Sequence, residues 1–322
     1  MKKITQQISV LKQYARKNEI SIILTIMDYV LCRIFHGYCL DDYVLNTPGY
    51  FVSWRWRKDF FSFRRWKRVL SLANDSKAVY LIDNKVEALK HFAPFIKHKW
   101  LYPQESTFEE FKNFMSSNNV IISKPVTSIY GLGVSVLHYS RDCIDDKWFK
   151  QMCEDNILLE ECIKQHHLLF FGNTSVNTIR VYSVLDQNGQ PHILKSILRV
   201  GVGESIVDNF HAGGVIYPIN IEYGIIESFG EQKNSDRKFF YHPGTNKCML
   251  GYAIPSWEKV IQIVKEAHVT LPTIRYIGWD IVVLENGEVD IIEANSNADH
   301  ALFSRIGYDK LFFLRIQELL DL

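Results

Sequence analysis

The stretch that decides the fold spans residues 278–295 and reads GWDIVVLENGEVDIIEAN. Two apolar runs flank Asn286-Gly287, and this dipeptide between such runs is the strongest short-range signal for a β-hairpin with a two-residue turn. A turn of that length fixes the strand register, because every cross-strand pair follows from the position of the turn. The predicted pairs are Leu284 with Val289, Val282 with Ile291, and Asp280 with Glu293.

The pair of Asp280 and Glu293 predicts a metal site on this hairpin. Directly opposed residues have β-carbons about 4.5 to 5.5 Å apart, and two carboxylates at that distance destabilise a sheet unless a cation lies between them. Asn295 adds an amide oxygen two residues along the strand. Three hard oxygen ligands favour Mg²⁺ over Zn²⁺. The alternative is a solvent-exposed hairpin whose acids point outward.

Length and composition indicate a globular protein with a large core. The chain has 322 residues, 47% of them hydrophobic, and we expect the core to be divided between two or three lobes. Its 37 Lys and Arg and 36 Asp and Glu give a net charge of +1, which argues against general nucleic-acid binding. Six cysteines without a Cys-x-x-Cys pair predict reduced, mostly buried thiols.

The first 75 residues are expected to be helical. Because neither a signal peptide nor a stretch of membrane-spanning length is recognisable, a cytoplasmic protein is expected, and the apolar residues 20–35 are interpreted as an amphipathic helix. Residues 54–68 are basic and aromatic. They form either a surface for an anionic polymer, a lipid-linked glycan or a membrane, or a helix with its aromatic side chains inside and its cations in solvent.

A lysine before a glycine-bearing loop resembles a phosphate-binding lid. Residues 120–125 read VIISKP and indicate a short buried strand in which Lys124 is the penultimate residue, and a loop with Gly131 and Gly133 follows. The loop has neither the spacing of a dinucleotide fingerprint nor the ending of a Walker loop. A Gly-x-Gly sequence also marks ordinary hairpins, so the pattern alone leaves both interpretations open.

A second hairpin is predicted around the turn Asn188-Gly189. Its predicted pairs are Thr178 with Arg199, Arg180 with Ile197, and Tyr182 with Lys195. The side chains of Arg180, Lys195 and Arg199 therefore share one face, where three cations repel one another. A bound triphosphate would turn this repulsion into charge-assisted hydrogen bonds. The alternative is a solvated outer face.

The last part of the chain contains a glycine-rich loop and two helices. Residues 208–215 read DNFHAGGV, and such a loop either brings backbone amides to a ligand or forms a plain turn. His211 in this loop and His300 are candidates for proton transfer, although a lone histidine is more often structural. Ser256 is expected to cap a helix that packs on the hairpin sheet, and residues 308–322 are expected to form a closing helix.

The order of these motifs resembles the ATP-grasp superfamily. More narrowly, three segments are similar to the sugar-transfer-associated ATP-grasp family, and the resemblance covers about residues 75 to 300. The segments are VNTIRV at 176–181, DNFHAGG at 208–214 and GWDI at 278–281.

The resemblance implies an α+β ATP-grasp fold with a nucleotide cleft between two β-rich lobes. Its parts would be a helical N-terminal region at 1–75, an N-terminal ATP-grasp part with the lid at 76–165, and a C-terminal lobe with the metal hairpin at 166–322. ATP and Mg²⁺ are the implied cofactors. Lys85 and Lys124 would contact phosphate. The implied adenine contacts are Glu160, the Glu161 carbonyl and the Ile163 amide.

The activity that the resemblance implies is an ATP-dependent, ADP-forming carboxylate–amine ligation through an acylphosphate. The family name connects it with surface or capsular polysaccharide biosynthesis, where a sugar acid would be joined to an amino acid or amine. Expected partners are such a carboxylate, an amine acceptor and glycan-assembly proteins at the inner membrane face, but no nucleic acid. Alternatives are a sugar kinase or phosphotransferase and a non-catalytic ATP-binding module.

One departure from related peptide ligases concerns the position two residues before the metal aspartate. Those enzymes often carry an arginine there, whereas this chain has Gly278. Stabilisation of the intermediate is therefore expected from Arg199, from Arg275 or from the amides of Gly213-Gly214. Together with Arg180, Lys195 and His211, Arg199 forms the predicted catalytic set.

Overall fold

The computed structural model describes most of the chain and divides it into two units. The described residues are 2–46, 53–59, 62–127, 133–140, 143–172, 175–202, 213–232, 235, 237–298 and 310–321. One unit comprises Met1–Ala73 with Asn297–Leu322, and the other comprises Asn74–Ser296. Among the residues singled out above, Gly131, His211 and His300 lie outside the described part, as do most of the two glycine-bearing loops.

Helices build the first unit and flank the sheets of the second. Their bounds are α1 Lys2–Lys17, α2 Ile22–Phe35, α3 Leu40–Asn46, α4 Trp54–Asp59, α5 Phe63–Ala73, α6 Tyr80–Asp83, α7 Lys85–His91, α8 Phe108–Ser117, α9 Asp146–Glu154, α10 Trp257–Val269 and α11 Lys310–Leu320.

The first unit is helical, as predicted for the N-terminal region, and has its own small core. Helices α1, α2 and α3, with the segment before α3, pack around side chains that are nearly inaccessible to solvent. They are Leu11, Tyr14, Tyr29, Cys32, Tyr38 and Tyr43. Of the six cysteines, all free, Cys32 alone is buried, so the expectation of mostly buried thiols is wrong. Within the described residues, no helix is long and apolar enough to cross a membrane.

The second unit contains two antiparallel sheets. The smaller sheet has the order β1-β4-β2-β3 and the larger has the order β11-β10-β5-β6-β7-β8, with β9 paired to β7. The strands are β1 Trp100–Leu101, β2 Val120–Pro125, β3 Ser135–His138, β4 Ile157–Glu161, β5 Ile179–Leu185, β6 Pro191–Val200, β7 Val215–Asn220, β8 Ile225–Ile226, β9 Glu231–Gln232, β10 Tyr276–Val283 and β11 Val289–Asn295.

Helix α10 covers one face of the larger sheet and forms the main core with it. Val260, Val264 and Ala267 are fully buried there, at the helical spacing that the sequence predicted. Ser256 precedes the helix but does not cap it with its side chain. Its hydroxyl instead donates to the carbonyl of Gly287, 2.8 Å away, so the expectation of a serine cap is wrong. The serine ties the helix to the hairpin turn.

The turn of the decisive hairpin contains three residues rather than two. The amide of Leu284 donates to the Glu288 carbonyl at 2.8 Å, and the amide of Gly287 donates back to the Leu284 carbonyl at 2.9 Å. Gly287 has a φ of +77°, the left-handed conformation that closes a type I turn with a glycine bulge. The predicted pairs of Leu284 with Val289 and of Val282 with Ile291 are therefore wrong by one residue.

A bulge at Ile292 restores the predicted register beyond the turn. Ile281 pairs with Ile291, whereas Asp280 pairs with Glu293, so Ile292 is the additional residue. The predicted pairing of Asp280 with Glu293 is confirmed because the two one-residue shifts cancel.

The hairpin of β5 and β6 is built in the same way. The amide of Asp186 donates to the Gln190 carbonyl at 3.0 Å, which again leaves three residues in the turn. A register shift after Tyr182 then restores the predicted pairs of Arg180 with Ile197 and Tyr182 with Lys195. The shared face of the cations thus follows from the sequence, although the turn length does not.

Candidate active site

Asp280 is a buried carboxylate held by two arginines. It lies on β10 directly opposite Arg180 on β5 and Glu293 on β11. Arg180 binds both of its oxygens, through Nε to Oδ1 and through Nη2 to Oδ2 at 2.9 Å. Nη2 of Arg199, on β6, lies 3.0 Å from Oδ2. All three side chains are buried, so the solvated outer face considered for these cations is excluded for Arg180 and Arg199.

The charges of this cluster depend on one another. Burial would raise the pKa of the Asp280 carboxyl, but the Arg180 and Arg199 guanidinium groups hold it below its usual value. Burial likewise would lower the pKa of Arg180, but the charge of Asp280 raises it. Removal of one partner would leave an uncompensated charge inside the protein, which typically costs about 3 to 5 kcal/mol. The arginines therefore fix Asp280 in its ionised form.

Lys85 and Glu293 lie beside this cluster. The Lys85 Nζ is 3.7 Å from Glu293 Oε1, and the glutamate side chain is 36% exposed whereas the lysine side chain is 11% exposed. Burial lowers the pKa of Lys85, and the charge of Glu293 opposes that change. Asn84 caps α7 by accepting the amides of Val86 and Glu87, which places Lys85 in the first turn. The lysine therefore begins a helix beside the carboxylate.

A hydrogen bond fixes this helix against the hairpin. The Ser296 hydroxyl donates to Asp83 Oδ1 at 2.7 Å, one residue before the helix cap and three residues after Glu293. The side chain of Asn74 joins the same region, since its amide nitrogen donates to the carbonyls of Tyr276 and Ser296 at 3.0 Å each. These contacts set the distance between Lys85 and the carboxylates.

A chain of four alternating charges connects the two sheets. Lys124 Nζ on β2 is 2.6 Å from Glu160 Oε1 on β4. His98 Nε2 lies 3.6 Å from that same oxygen, and His98 Nδ1 lies 2.8 Å from Asp290 Oδ2 on β11. Asp290 also accepts the backbone amides of Lys97 and His98. The buried imidazole thus bridges carboxylates of the smaller and the larger sheet.

The His98 ring is charged in this setting. Burial would lower the pKa of His98, but its hydrogen bonds and charge interactions with Asp290 and Glu160 raise it to about 9. Burial would raise the pKa of Glu160, but the charges of Lys124 and His98 lower it to about 2. At neutral pH the ring therefore carries protons on both nitrogens: Nδ1 donates to Asp290, and Nε2 faces Glu160 at 3.6 Å, beyond hydrogen-bond distance.

The two lysines line the same cleft. Its charged lining residues are Lys85, Lys124 and Glu293, and the remainder of the lining is apolar. The full lining is Ile82, Lys85, Ala88, Leu89, Phe92, Ile96, Lys124, Ile291, Ile292, Glu293 and Ala294. The bulged Ile292 belongs to this lining, so the irregularity that restores the register also shapes the cleft. Such a combination of apolar walls and a few charged groups is typical of a small-molecule site.

The charged side chains in and around the cleft are paired with one another. The cations are Arg180, Arg199, Lys85, Lys124 and protonated His98, and the carboxylates are Asp280, Glu293, Glu160 and Asp290.

The predicted metal set is only partly assembled by this geometry. Asp280 and Glu293 are paired across the strands, and Asn295 Nδ2 lies 3.5 Å from the Gly278 carbonyl. In the described part of the chain, no three His, Cys, Asp or Glu side chains are grouped as metal ligands. The set accordingly supplies two carboxylates and one amide. Oxygen donors of this kind suit Mg²⁺.

The remaining predicted residues lie at the edges of the site. Lys195 is half-buried opposite Tyr182, on the same face as Arg180. Glu161 accepts the Lys99 amide at 2.7 Å through its carboxylate, and its own amide donates to the Lys99 carbonyl.

The strand-end residues Ile163 and Gly133 complete the predicted set. Ile163 follows β4 and is half-buried. Gly133 has a φ of +77°, and a β-carbon there would come within 2.9 Å of the Pro125 ring. A glycine is therefore required just before β3, where the backbone passes close to Pro125 at the end of β2.

Sequence reasoning missed His98 and gave no role to Asp290. A signal was present for Asp290, because an acid within a strand of buried residues requires a partner. His98 stands in an irregular segment before β1 and carries no periodic pattern that would reveal its contacts.

Comparison with known proteins identifies the fold and the family of this chain. The architecture is that of an ATP-grasp protein, as predicted, and the model of the sugar-transfer associated ATP-grasp family matches residues 64–319. The chain belongs to this family. No curated protein matches the chain.

Solved structures with similar folds are distant in sequence. The ATP-grasp ligase PsnB with its minimal precursor has a TM-score of 0.48 and 15% identity, over 77% of this chain and 64% of its own. PurK, the N5-carboxyaminoimidazole ribonucleotide synthetase, has a TM-score of 0.48 and 12% identity, over 75% and 52%. A RiPP-associated ATP-grasp ligase of Chryseobacterium gregarium has 0.46 and 12%, over 80% and 66%. The chain spans less than two thirds of the length of the PsnB structures.

Proposed function

We propose that the protein is an ATP-dependent, ADP-forming carboxylate–amine ligase that acts through an acylphosphate. The observation that carries this proposal is the cleft in which Lys85, Lys124 and Glu293 meet, beside the ionised Asp280. Membership of the ATP-grasp family supports the use of ATP. Neighbouring folds have been solved with ADP and Mg²⁺, which supports the same ligands here.

Asp280, Glu293 and Asn295 would hold Mg²⁺ in this proposal. A carboxylate has about four lone-pair directions, and the two arginines occupy three of those on Asp280, so Oδ1 can still accept a cation. Glu293 is partly exposed and can turn from Lys85 to the ion. The ion would neutralise charge on the phosphates.

The lysines would bind the phosphate oxygens. Each ammonium has three N–H donors, so Lys124 can keep its contact with Glu160 while it donates to a phosphate. Gly131 and Gly133 would bring the lid over the nucleotide. Adenine would lie near Glu160, the Glu161 carbonyl and the Ile163 amide.

The chemical step requires stabilisation of charge more than a protein nucleophile. An oxygen of the substrate carboxylate attacks the γ-phosphorus, the bond to the bridging oxygen breaks, and ADP leaves. The amine nitrogen then attacks the acyl carbon, phosphate leaves with its electron pair, and the amine nitrogen gives up its proton. Arg199 and Lys195 would stabilise the developing charge, and Arg180 would hold Asp280. His211 is the proposed proton acceptor.

The proposed substrates are a sugar acid and an amino acid or amine, in surface or capsular polysaccharide biosynthesis. The family description supports the connection with sugar transfer. The protein would act in the cytoplasm, at the inner membrane face, beside glycan-assembly proteins. A sugar kinase and a non-catalytic nucleotide-binding module use the same phosphate contacts and are the alternatives.

An ADP-release screen of sugar acids against amino acids and amines, with Mg²⁺, tests the proposal. We expect ADP, an amide product by mass spectrometry, and a hydroxamate when hydroxylamine intercepts the acylphosphate. A stable sugar phosphate would establish the kinase instead, and nucleotide binding without turnover would establish the binding module. Lys85→Ala should lose turnover, whereas Lys77→Ala, an exposed lysine outside the cleft, should retain it.

A further inference from the structure

Helix α2 presents a wide apolar face to solvent. Seven large hydrophobic side chains on it are between 42% and 68% exposed, and they recur at the helical spacing of three and four residues. At about 100° per residue they cover roughly 140° of the helix. They are Ile23, Leu24, Met27, Val30, Leu31, Ile34 and Phe35. We refer to this set as the α2 face.

The opposite side of α2 packs into the core of the first unit. Thr25, Tyr29 and Cys32 are buried there. The acid of this helix, Asp28, is paired with Arg57 and accepts the Tyr43 hydroxyl at 2.8 Å. The helix is therefore apolar on both sides, and its acid is neutralised internally. Contiguous exposed apolar surface of this kind marks an interaction site.

The charge distribution indicates which partner the α2 face fits. Residues 1–73 contain 13 Lys and Arg and 5 Asp and Glu, a net charge of +8, so the remainder of the chain carries −7. An anionic surface would attract this region. A second copy docked through the same face would place two strongly positive regions together. The charge therefore favours an anionic lipid surface over a homodimer.

Aromatic and basic side chains border the C-terminal end of the face. Trp54 packs edge-on against Phe35 with ring centroids 5.9 Å apart. Arg64 donates to the carbonyls of Arg33 and Ile34 at 3.2 and 3.3 Å. Tryptophan and arginine beside an apolar helix face are typical of segments that lie at a membrane surface. At about 1.5 Å per residue the 14-residue helix is too short to span a bilayer, so it would lie in the interface plane.

We propose that the α2 face docks the protein on an anionic lipid leaflet, with its hydrophobic side chains among the acyl chains and the surrounding cations at the phosphate headgroups. The inference rests on the exposed face and the charge of residues 1–73, and does not depend on the proposed ligase reaction. It gives the protein a position at the membrane surface on which a lipid-linked substrate could also lie.

Vesicle flotation of the full-length protein tests this proposal. We expect the wild type to float with vesicles of phosphatidylcholine and phosphatidylglycerol, and much less with phosphatidylcholine alone. Met27→Glu and Ile34→Glu should each reduce the floating fraction about tenfold, because each puts a charge into the apolar face. Leu250→Glu is the control, since Leu250 is 52% exposed outside this face.

Two outcomes would overturn the proposal. One is a wild type that does not float with anionic vesicles, or Glu variants that float as well as the wild type. The other is a wild-type dimer that Met27→Glu dissociates, since the face would then bind a second copy. Thermal unfolding and ATP turnover of the variants should match the wild type, which separates this test from that of the ligase reaction.

Discussion

The charged His98 ring predicts a loss of stability at alkaline pH. The pKa of His98 is about 9 in the folded protein and 6.5 for an ordinary histidine, so the folded state holds the proton more strongly. This contribution is complete below pH 6.5 and disappears as the pH rises through 9. At about 1.4 kcal/mol per pKa unit, the loss over that range is about 3 kcal/mol.

Urea unfolding from about pH 6 to about pH 9 would measure this loss, with tryptophan fluorescence as the signal. The wild type is compared with His98→Gln, and the difference in unfolding free energy should fall by about 3 kcal/mol across that range. His138→Gln, at an exposed position, is the matched control and should show no such change. Ring nitrogen NMR of His98 gives a second measure. A pH-independent difference, together with a ring that titrates near 6.5, would refute the charged bridge.

Three further predictions concern the cleft, the turn and the core. Lys124→Ala should weaken ATP binding or turnover by about 1 to 3 kcal/mol. Lys150→Ala, at an exposed lysine, is the control and should have no such effect. If Lys124→Ala had the same kinetics as the wild type, the proposed contact of Lys124 with phosphate would be contradicted. Gly287→Ala should lower the unfolding free energy by about 1 to 2 kcal/mol, because alanine is strained at the positive φ of Gly287. An unchanged midpoint of urea unfolding would contradict the left-handed conformation of this turn residue. Burial lowers the pKa of His268 to about 4, so stability should fall as the pH drops from about 6.5 to 4, and His268→Gln should show less of this fall.

The strand pairs near the site could be predicted from the sequence, but the turns could not. Both Asn-Gly turns contain one more residue than predicted, because only the glycine takes the left-handed conformation. The bulges at Ile292 and after Tyr182 then correct the register. A bulge leaves no local signal in a run of apolar residues, so its position depends on tertiary packing.

The sequence predicted which charged side chains share a face of the sheet, but not which of them form ion pairs. The sequence placed Arg180 and Arg199 on one face and Asp280 opposite Glu293, but did not show that the arginines bind the aspartate across three strands. Contacts between distant segments depend on which strands are neighbours. The bridge from Glu160 through His98 to Asp290 has the same origin, since its residues are far apart in the chain.

Nucleotide binding measured by calorimetry with and without Mg²⁺ tests the central claim most directly. A non-hydrolysable ATP analogue should bind the wild type more tightly when Mg²⁺ is present. Glu293→Gln should lose this gain, whereas Glu285→Gln, the same change at an exposed position of the hairpin turn, should keep it. An equal gain in Glu293→Gln, or no nucleotide binding by the wild type, would contradict the assignment of the cleft to MgATP.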